Sequence, residues 1–428
     1  MTRISPMLLG PSAFTRVRAR FNPLAVLLLV ATVLVLTQAS EVAAQPRGLS
    51  KFESRAYVIH TNLSKEEALE YGVHMDLIYK EYSKRFSVLE GKGRGKQDLY
   101  LLRNRQDYIR AMAAFGIQAE ASGGMFFWGP GVSGLATWVE GLSRDQVFST
   151  LQHEGFHQFA HVKMGENLPL WVNEGLAEYF GAAIVVDGKV RMGVVDETRV
   201  ERIQQALKNK QALSFRELLG IQSEHWHSNM LSGSPKGYLQ YDQSWAVVHF
   251  LVHGDRGKYK KAFGNYLVLI SQGATHDQAF GRTFGDDTRR FEARWEKFIE
   301  NVEPDDYSIA LKRIQFLGEG LRFLKTQNAD TPESSRDLRK ALQSRGFRLT
   351  WITQSGKTVV DSANNSLYSY TDSKGDSHRF EIVPAEEDSN MPPLLTASKL
   401  KPAVTLTWVK DDSGKLRSQL EYGKKRRR

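Results

Sequence analysis

Residues 153–157 read His-Glu-Gly-Phe-His. On a helix, positions four apart share a face, so His153 and His157 can present two imidazole nitrogens to one ion. Glu154 then lies beside that ion, free to polarise a water bound to it. With 11 His and 48 Asp plus Glu in 428 residues, such a string arises by chance about 0.03 times. The pattern is therefore suggestive alone, and its surroundings must decide. A catalytic zinc needs a third protein ligand and one open position. His161 continues the series, but the rise from His153 is about 12 Å, too long for two ligands of one ion. Lys163 stands where a third histidine six positions after His157 would be needed, and Ala160 replaces the accompanying glycine. That leaves the stretch 169–180. Gly165 can stop the first helix and Pro169 can start a second, so the chain can turn back antiparallel. Glu174 can then face the two histidines. Glu178, one helical turn on, can accept a hydrogen bond from the distal ring nitrogen of a ligand histidine.

The elements that must hold these groups are legible as patterns. The helix carrying the motif has Phe148, Leu151, Phe156 and Phe159 as its buried surface. Upstream, residues 54–61 alternate as a strand, Ser64 caps a helix over 66–86, and a second strand and helix follow over 98–102 and 106–115. Residues 123–140 read as two short strands joined by a Gly-Pro loop, and Asp187-Gly188 marks a hairpin. Residues 197–302 are mostly helical, as are 307–327. From 346 the texture changes to strands, at 347–353, 379–383, 404–410 and 415–422. The expected fold class is α+β: a body over 50–302, a helical linker over 303–345 and a small β-rich domain over 346–423.

The His-Glu-x-x-His motif followed by Asn-Glu-Gly-Leu-Ala-Glu-Tyr (173–179) resembles the gluzincin metallopeptidases, most closely the peptidase-MA-like families of exported bacterial proteins. More distantly it is similar to the membrane alanyl aminopeptidases. The resemblance covers residues 147–182 well, thins over the rest of 50–300 and does not reach 303–428. It implies a thermolysin-like catalytic domain and a zinc ion held by His153, His157 and Glu174. Glu154 would be the general base and Glu178 would support a ligand histidine. It also implies a tyrosine that donates to the oxyanion. Tyr241, 67 residues beyond Glu174 and just before a helical run over 244–252, is the choice for that role, with Tyr238 and His249 as competitors. The chain departs from the aminopeptidases at Gly123-Gly-Met-Phe-Phe127, which lacks the glutamate that binds a free amine. The strand over 124–128 could still be a sheet edge that an extended peptide joins.

Composition narrows the function classes. The formal charge is +10, yet residues 1–44 hold +3 and the tail 424–428 holds +5, leaving +2 for the rest. No basic groove with interleaved aromatics appears, which argues against a nucleic-acid partner. Residues 24–36 form an apolar run behind four arginines, and Val42-Ala43-Ala44 offers a cleavage site. This is the layout of a secretory signal, or of an uncleaved anchor if the span extends over 21–40. The protein is expected to be exported, in a periplasmic, extracellular or anchored location. The basic tail leaves association with a membrane or cell surface open. No cysteine is present, so disulfides and thiolate metal sites are excluded and any zinc ligands must be His and carboxylate. Gly-rich stretches at 91–95 and 129–131 read as turns, and His225 and His227 as members of a solvated loop. The expected function is hydrolysis of peptides or proteins. The alternative is a catalytically silent surface-binding or scaffold protein that keeps the fold.

Overall fold

The computed structural model describes residues 46–423, apart from 90–94, 121, 130, 232–234, 354–355, 387–389 and 411–413. The export segment, the basic tail and most of the Gly-rich turn at 91–95 thus lie outside the described residues. No helix among the described residues is long and apolar enough to cross a membrane. The architecture is mixed α+β, with thirteen helices and several small sheets among the described residues.

The first layer is a five-stranded sheet. It comprises β1 (Ser50–Glu53), β2 (Tyr57–Thr61), β3 (Gln97–Leu102), β4 (Met125–Gly129) and β5 (Val132–Trp138), in the order β1-β2-β3-β5-β4. The parallel trio β2, β3 and β5 is flanked by antiparallel β1 and β4, so β4 is an edge strand. Side chains alternate between faces with period two. Tyr57, Ile59, Leu99 and Leu135 pack towards α1 (Lys65–Arg85) and α3 (Arg144–Met164), while Tyr100, Leu102 and Phe127 pack towards α2 (Arg105–Ala114).

Helix α3 is sharply bounded. Ser143 and Gln146 form a reciprocal capping box at its start, and Gly165, with φ of 65°, closes its end. After a short turn the chain enters α4 (Leu170–Gly181) with Pro169 at its N-cap. Gln152 clamps the two helices: its side-chain amide donates to the carbonyls of Phe180, Gly181 and Ala183 at 2.9, 3.2 and 3.0 Å. Its other end meets the His74 ring of α1 at 2.7 Å. Gly155, inside the motif, lets α1 approach; a Cβ there would lie 2.7 Å from the Met75 methyl.

The hairpin β6 (Ile184–Val186) and β7 (Lys189–Arg191) turns at Asp187 and Gly188, both at positive φ. A helical layer follows: α5 (Glu197–Lys208), α6 (Phe215–Leu219), α7 (Ser223–Leu231), α8 (Pro235–Gly257), α9 (Lys260–Ser271), α10 (His276–Phe284) and α11 (Thr288–Glu300). Helix α8 runs through the middle of this layer's core, against α4. His225 and His227 lie on α7 and not in a loop; the buried Trp226 between them anchors that helix on α8.

The segment 303–345, expected as a linker, contributes α12 (Asp306–Thr326) and α13 (Ser335–Ser344). Leu317 and Leu321 of α12 share a core with Leu395, Val404 and Leu406 of the C-terminal sheet. The strands there are β8 (Arg348–Thr353), β9 (Gly356–Asp361), β10 (Ser369–Thr371), β11 (Ser377–Arg379), β12 (Glu381–Val383), β13 (Leu394–Ala397), β14 (Val404–Lys410) and β15 (Leu416–Tyr422). The last four form one antiparallel sheet, and β8–β9 and β10–β11 are hairpins. Arg144 at the start of α3 donates to the Gln419 side chain on β15 at 2.9 Å.

Helices α4 and α8 meet backbone to backbone at Gly175, where an added Cβ would sit 2.4 Å from the Ser244 carbonyl oxygen. Gly175→Ala is expected to lower stability by about 1–3 kcal/mol through overpacking. Gly264→Ala on α9, where nothing among the described residues lies within 4 Å of the new methyl, should instead gain up to about 1 kcal/mol from helix propensity. Urea unfolding of both variants separates the two effects, and an unchanged midpoint for Gly175→Ala would contradict this close approach.

Candidate metal centre

Helix periodicity places His153 and His157 one turn apart on the face of α3 that α4 covers. Their Nε2 atoms are 3.0 Å apart. Glu174 enters from α4, with Oε2 3.4 Å from His153 Nε2 and 3.6 Å from His157 Nε2. These three donor atoms lie within 4.8 Å of one another, and all three residues are buried. A tetrahedral ion with bonds of about 2.0–2.2 Å has donor–donor edges of about 3.3–3.6 Å, so the spacing suits one small divalent cation.

The distal ring atoms have polar neighbours as well. His157 Nδ1 is 3.0 Å from the Asn173 side-chain oxygen, a partner that fixes which nitrogen of that ring is left for an ion. His153 Nδ1 lies 3.4 Å from Glu178 Oε1, an ion-pair distance at which no hydrogen bond is formed. Glu178 is in turn bonded by Arg199, which sits in the first turn of α5, where its backbone N–H binds the Asp196 cap at 3.0 Å. The Arg199 guanidinium lies 5.2 Å from the Trp245 ring centre, and its Nε is 3.2 Å from Asp242. Asp242 also receives Arg202 through Nε and a terminal nitrogen at 2.8 and 3.0 Å.

Charge gives an independent test of the fit. Glu154, Glu174, Glu178 and Asp242 are each no more than 4 % exposed. Arg199 and Arg202 neutralise two of these four carboxylates, leaving a deficit of two that a divalent cation would fill. Without an ion, a proton on His157 partly compensates. Burial alone would lower its pKa, but Glu174 outweighs this and raises it to about 9. Glu174 itself resists burial but is held well below the usual carboxylate range by His157 and His153.

Glu154 is divided between two tasks. Its Oε2 accepts the backbone N–H of Phe126 on β4 at 2.8 Å, whereas its buried Oε1 has no hydrogen-bond partner among the described residues. Burial raises its pKa, opposed by His153, His157 and the Phe126 amide. One oxygen is thus fixed by the sheet edge and the other is left to take a proton.

Tyr241 lies inside α8, not ahead of it, because the helix begins at Pro235. It is buried against Trp226, with ring centres 4.9 Å apart. Burial and then the nearby Glu174 push its pKa well up, so it stays a phenol, able to donate, at neutral pH. His249 packs between Trp245 and His253, with ring centres 4.9 and 4.5 Å away, and burial pushes its pKa down to about 3. It is therefore a neutral imidazole and not an imidazolium donor at neutral pH. Tyr238 is only half-buried on the same helix.

Asn173 was readable as the residue preceding Glu174, but its role follows only from the turn of α4. Arg199, Arg202 and Asp242 carry no sequence signal, since 43 residues separate Arg199 from Asp242. Among known families, the one described as "Protein of unknown function (DUF1570)" matches residues 147–269. That span holds every group named above except Phe126. No curated protein matches the chain.

One equivalent of a divalent metal per chain is expected by elemental analysis after dialysis. His153→Ala, His157→Ala and Glu174→Gln should each abolish stoichiometric binding, while Asn173→Ala should weaken it about 10- to 100-fold. Binding must displace the His157 proton, so affinity should fall about tenfold per pH unit below 9, as read by chelator competition. In metal-free protein the same shift works the other way. The His157–Glu174 contribution to stability is complete below the ordinary histidine value of 6.5 and is lost as pH rises through 9.

Proposed function

We propose that the chain is an exported zinc-dependent peptidase of the gluzincin type, with a thermolysin-like catalytic domain. One observation carries the reading. A buried His-His-Glu donor set lies beside a glutamate that has one oxygen pinned and the other unpartnered. A purely structural ion site has no need of that free carboxylate oxygen, so this feature also weighs against a silent scaffold.

Zinc held by His153, His157 and Glu174 would supply a Lewis acid that acidifies water and polarises the scissile carbonyl. Glu154 takes the water proton at Oε1 and delivers it to the amine nitrogen as the C–N bond breaks. The Phe126 amide keeps the carboxylate from rotating during both transfers. Tyr241 donates its O–H to the carbonyl oxygen as negative charge develops there. Asn173 holds the His157 ring at a fixed angle, Glu178 faces the His153 ring, and Arg199 pairs with Glu178 in a buried setting. The free edge of β4 supports a peptide substrate, since an extended chain can pair with that edge and lie beside Glu154.

Glu154→Gln should retain zinc and lose hydrolysis of a broad quenched-fluorescent peptide library by about 10²–10⁴-fold or more. Tyr241→Phe should lower kcat by about 10²–10³-fold with little change in KM. If zinc-loaded wild-type protein cleaves none of the library or of casein, the peptidase reading fails and the scaffold reading replaces it. Export is checked by cell fractionation, with Gln45 expected as the first residue if the signal is cut.

A further inference from the structure

Beyond Glu154, the edge strand and the motif helix continue side by side. Phe126 and Trp128 are two apart on β4 and so share a face. Their rings stack at 5.3 Å and 15°. His161, one helical turn past His157 on α3, closes the group. Its ring lies 4.8 Å from Trp128 and 5.4 Å from Phe126. Glu166, in the turn after α3, accepts the Trp128 indole N–H at 3.1 Å. Phe126 is buried, Trp128 and His161 are half-buried and Glu166 is exposed. The group therefore opens outward from a covered floor. The floor is the residue whose own amide holds Glu154.

Three aromatic rings packed beside one carboxylate favour a particular ligand chemistry. Ring faces are electron-rich and attract cations, most strongly where water is partly excluded. The carboxylate adds a full negative charge and a hydrogen-bond acceptor. Burial lowers the His161 pKa, against the pull of Glu166, so the imidazole is not a competing cation at neutral pH. From Glu154 to His161 the helix rises about 10 Å, the length of about three residues of extended chain.

We propose that Phe126, Trp128, His161 and Glu166 form a subsite for an ammonium or guanidinium group carried by the peptide, within about three residues of the scissile bond. This rests on the peptidase reading and names its substrate class. The cation is either a Lys or Arg side chain or the peptide's own terminal amine.

The test uses zinc-loaded protein and paired fluorogenic peptides. Lys or Arg is exchanged for norleucine or Gln at each of three positions on either side of the bond, with free or acetylated N-termini. About a tenfold higher kcat/KM is expected for the cationic partner at one position. The Glu166→Gln and Trp128→Leu variants should reduce that ratio to within about twofold. A preference that survives acetylation assigns the cation to a side chain; one that vanishes assigns it to the terminal amine. Rates independent of peptide charge overturn the subsite while leaving the peptidase reading intact. If no peptide is cleaved, the peptidase reading fails by itself. Titration of the protein with Nα-acetyl-arginine amide, followed by tryptophan fluorescence, then decides the site. A saturable change that is absent from Trp128→Leu upholds it, and no saturable change overturns it.

Discussion

Carboxylates repel one another and resist leaving water, yet four of them are buried around this one site, where among the described residues two guanidinium groups pair with Glu178 and Asp242. The rest of the site is arranged around that imbalance. Every hydrogen bond to a charged oxygen in such a medium is stronger than in water, and every unpaired one costs more. Asp242 holds Arg199 and Arg202, Arg199 holds Glu178, and Glu178 faces His153. The cation deficit is left where the two Nε2 atoms and Glu174 converge. A fold that merely buried these helices would have removed the charges or exposed them.

Concentrating charge in this way requires helices that do not drift. Helix α3 is fixed along its length by Gln152, whose amide reaches three carbonyls at the end of α4, and sideways by α1 at Gly155. Helix α4 is pressed onto α8 at Gly175, next to Glu174. The two glycines do related work at different places. Each removes a Cβ where a neighbouring helix must come close, and each is adjacent to or within one residue of a functional side chain. Packing and chemistry are therefore set by the same few positions.

How much of this was legible in the sequence follows from the range of each interaction. The triad His153, His157 and Glu174 could be read because two periodic helices and one turn, bounded by Gly165 and Pro169, place it. Helix α3 indeed closes at Gly165, and α4 runs from just after Pro169 to Gly181, within a residue of the stretch 169–180. Tyr241 was chosen by resemblance, and it lies inside α8 and not ahead of it because Pro235 starts the helix earlier than the apolar run suggests. Strands β1, β10 and β13 are three or four residues long, too short for an alternating pattern to declare itself. The Arg199–Asp242 link joins the first turn of α5 to the middle of α8, and no local signal marks a buried arginine. Trp128 and His161 were each visible, but only the packing of β4 along α3 makes them neighbours.

The contact between Phe126 and Glu154 joins these threads. On the peptidase reading Glu154 has a conflict: burial raises its pKa and favours the neutral acid, which cannot accept a proton. The histidines and one backbone amide pull the other way. Had that amide come from a loop, its position would vary and the balance with it. It comes instead from an edge strand whose other side is paired to β5, so the sheet itself steadies the charge on Glu154. The same strand carries Trp128 two residues further on. On the peptidase reading, the element that tunes the base also lines up the substrate. Any movement of β4 that improves substrate fit must then act on proton transfer as well.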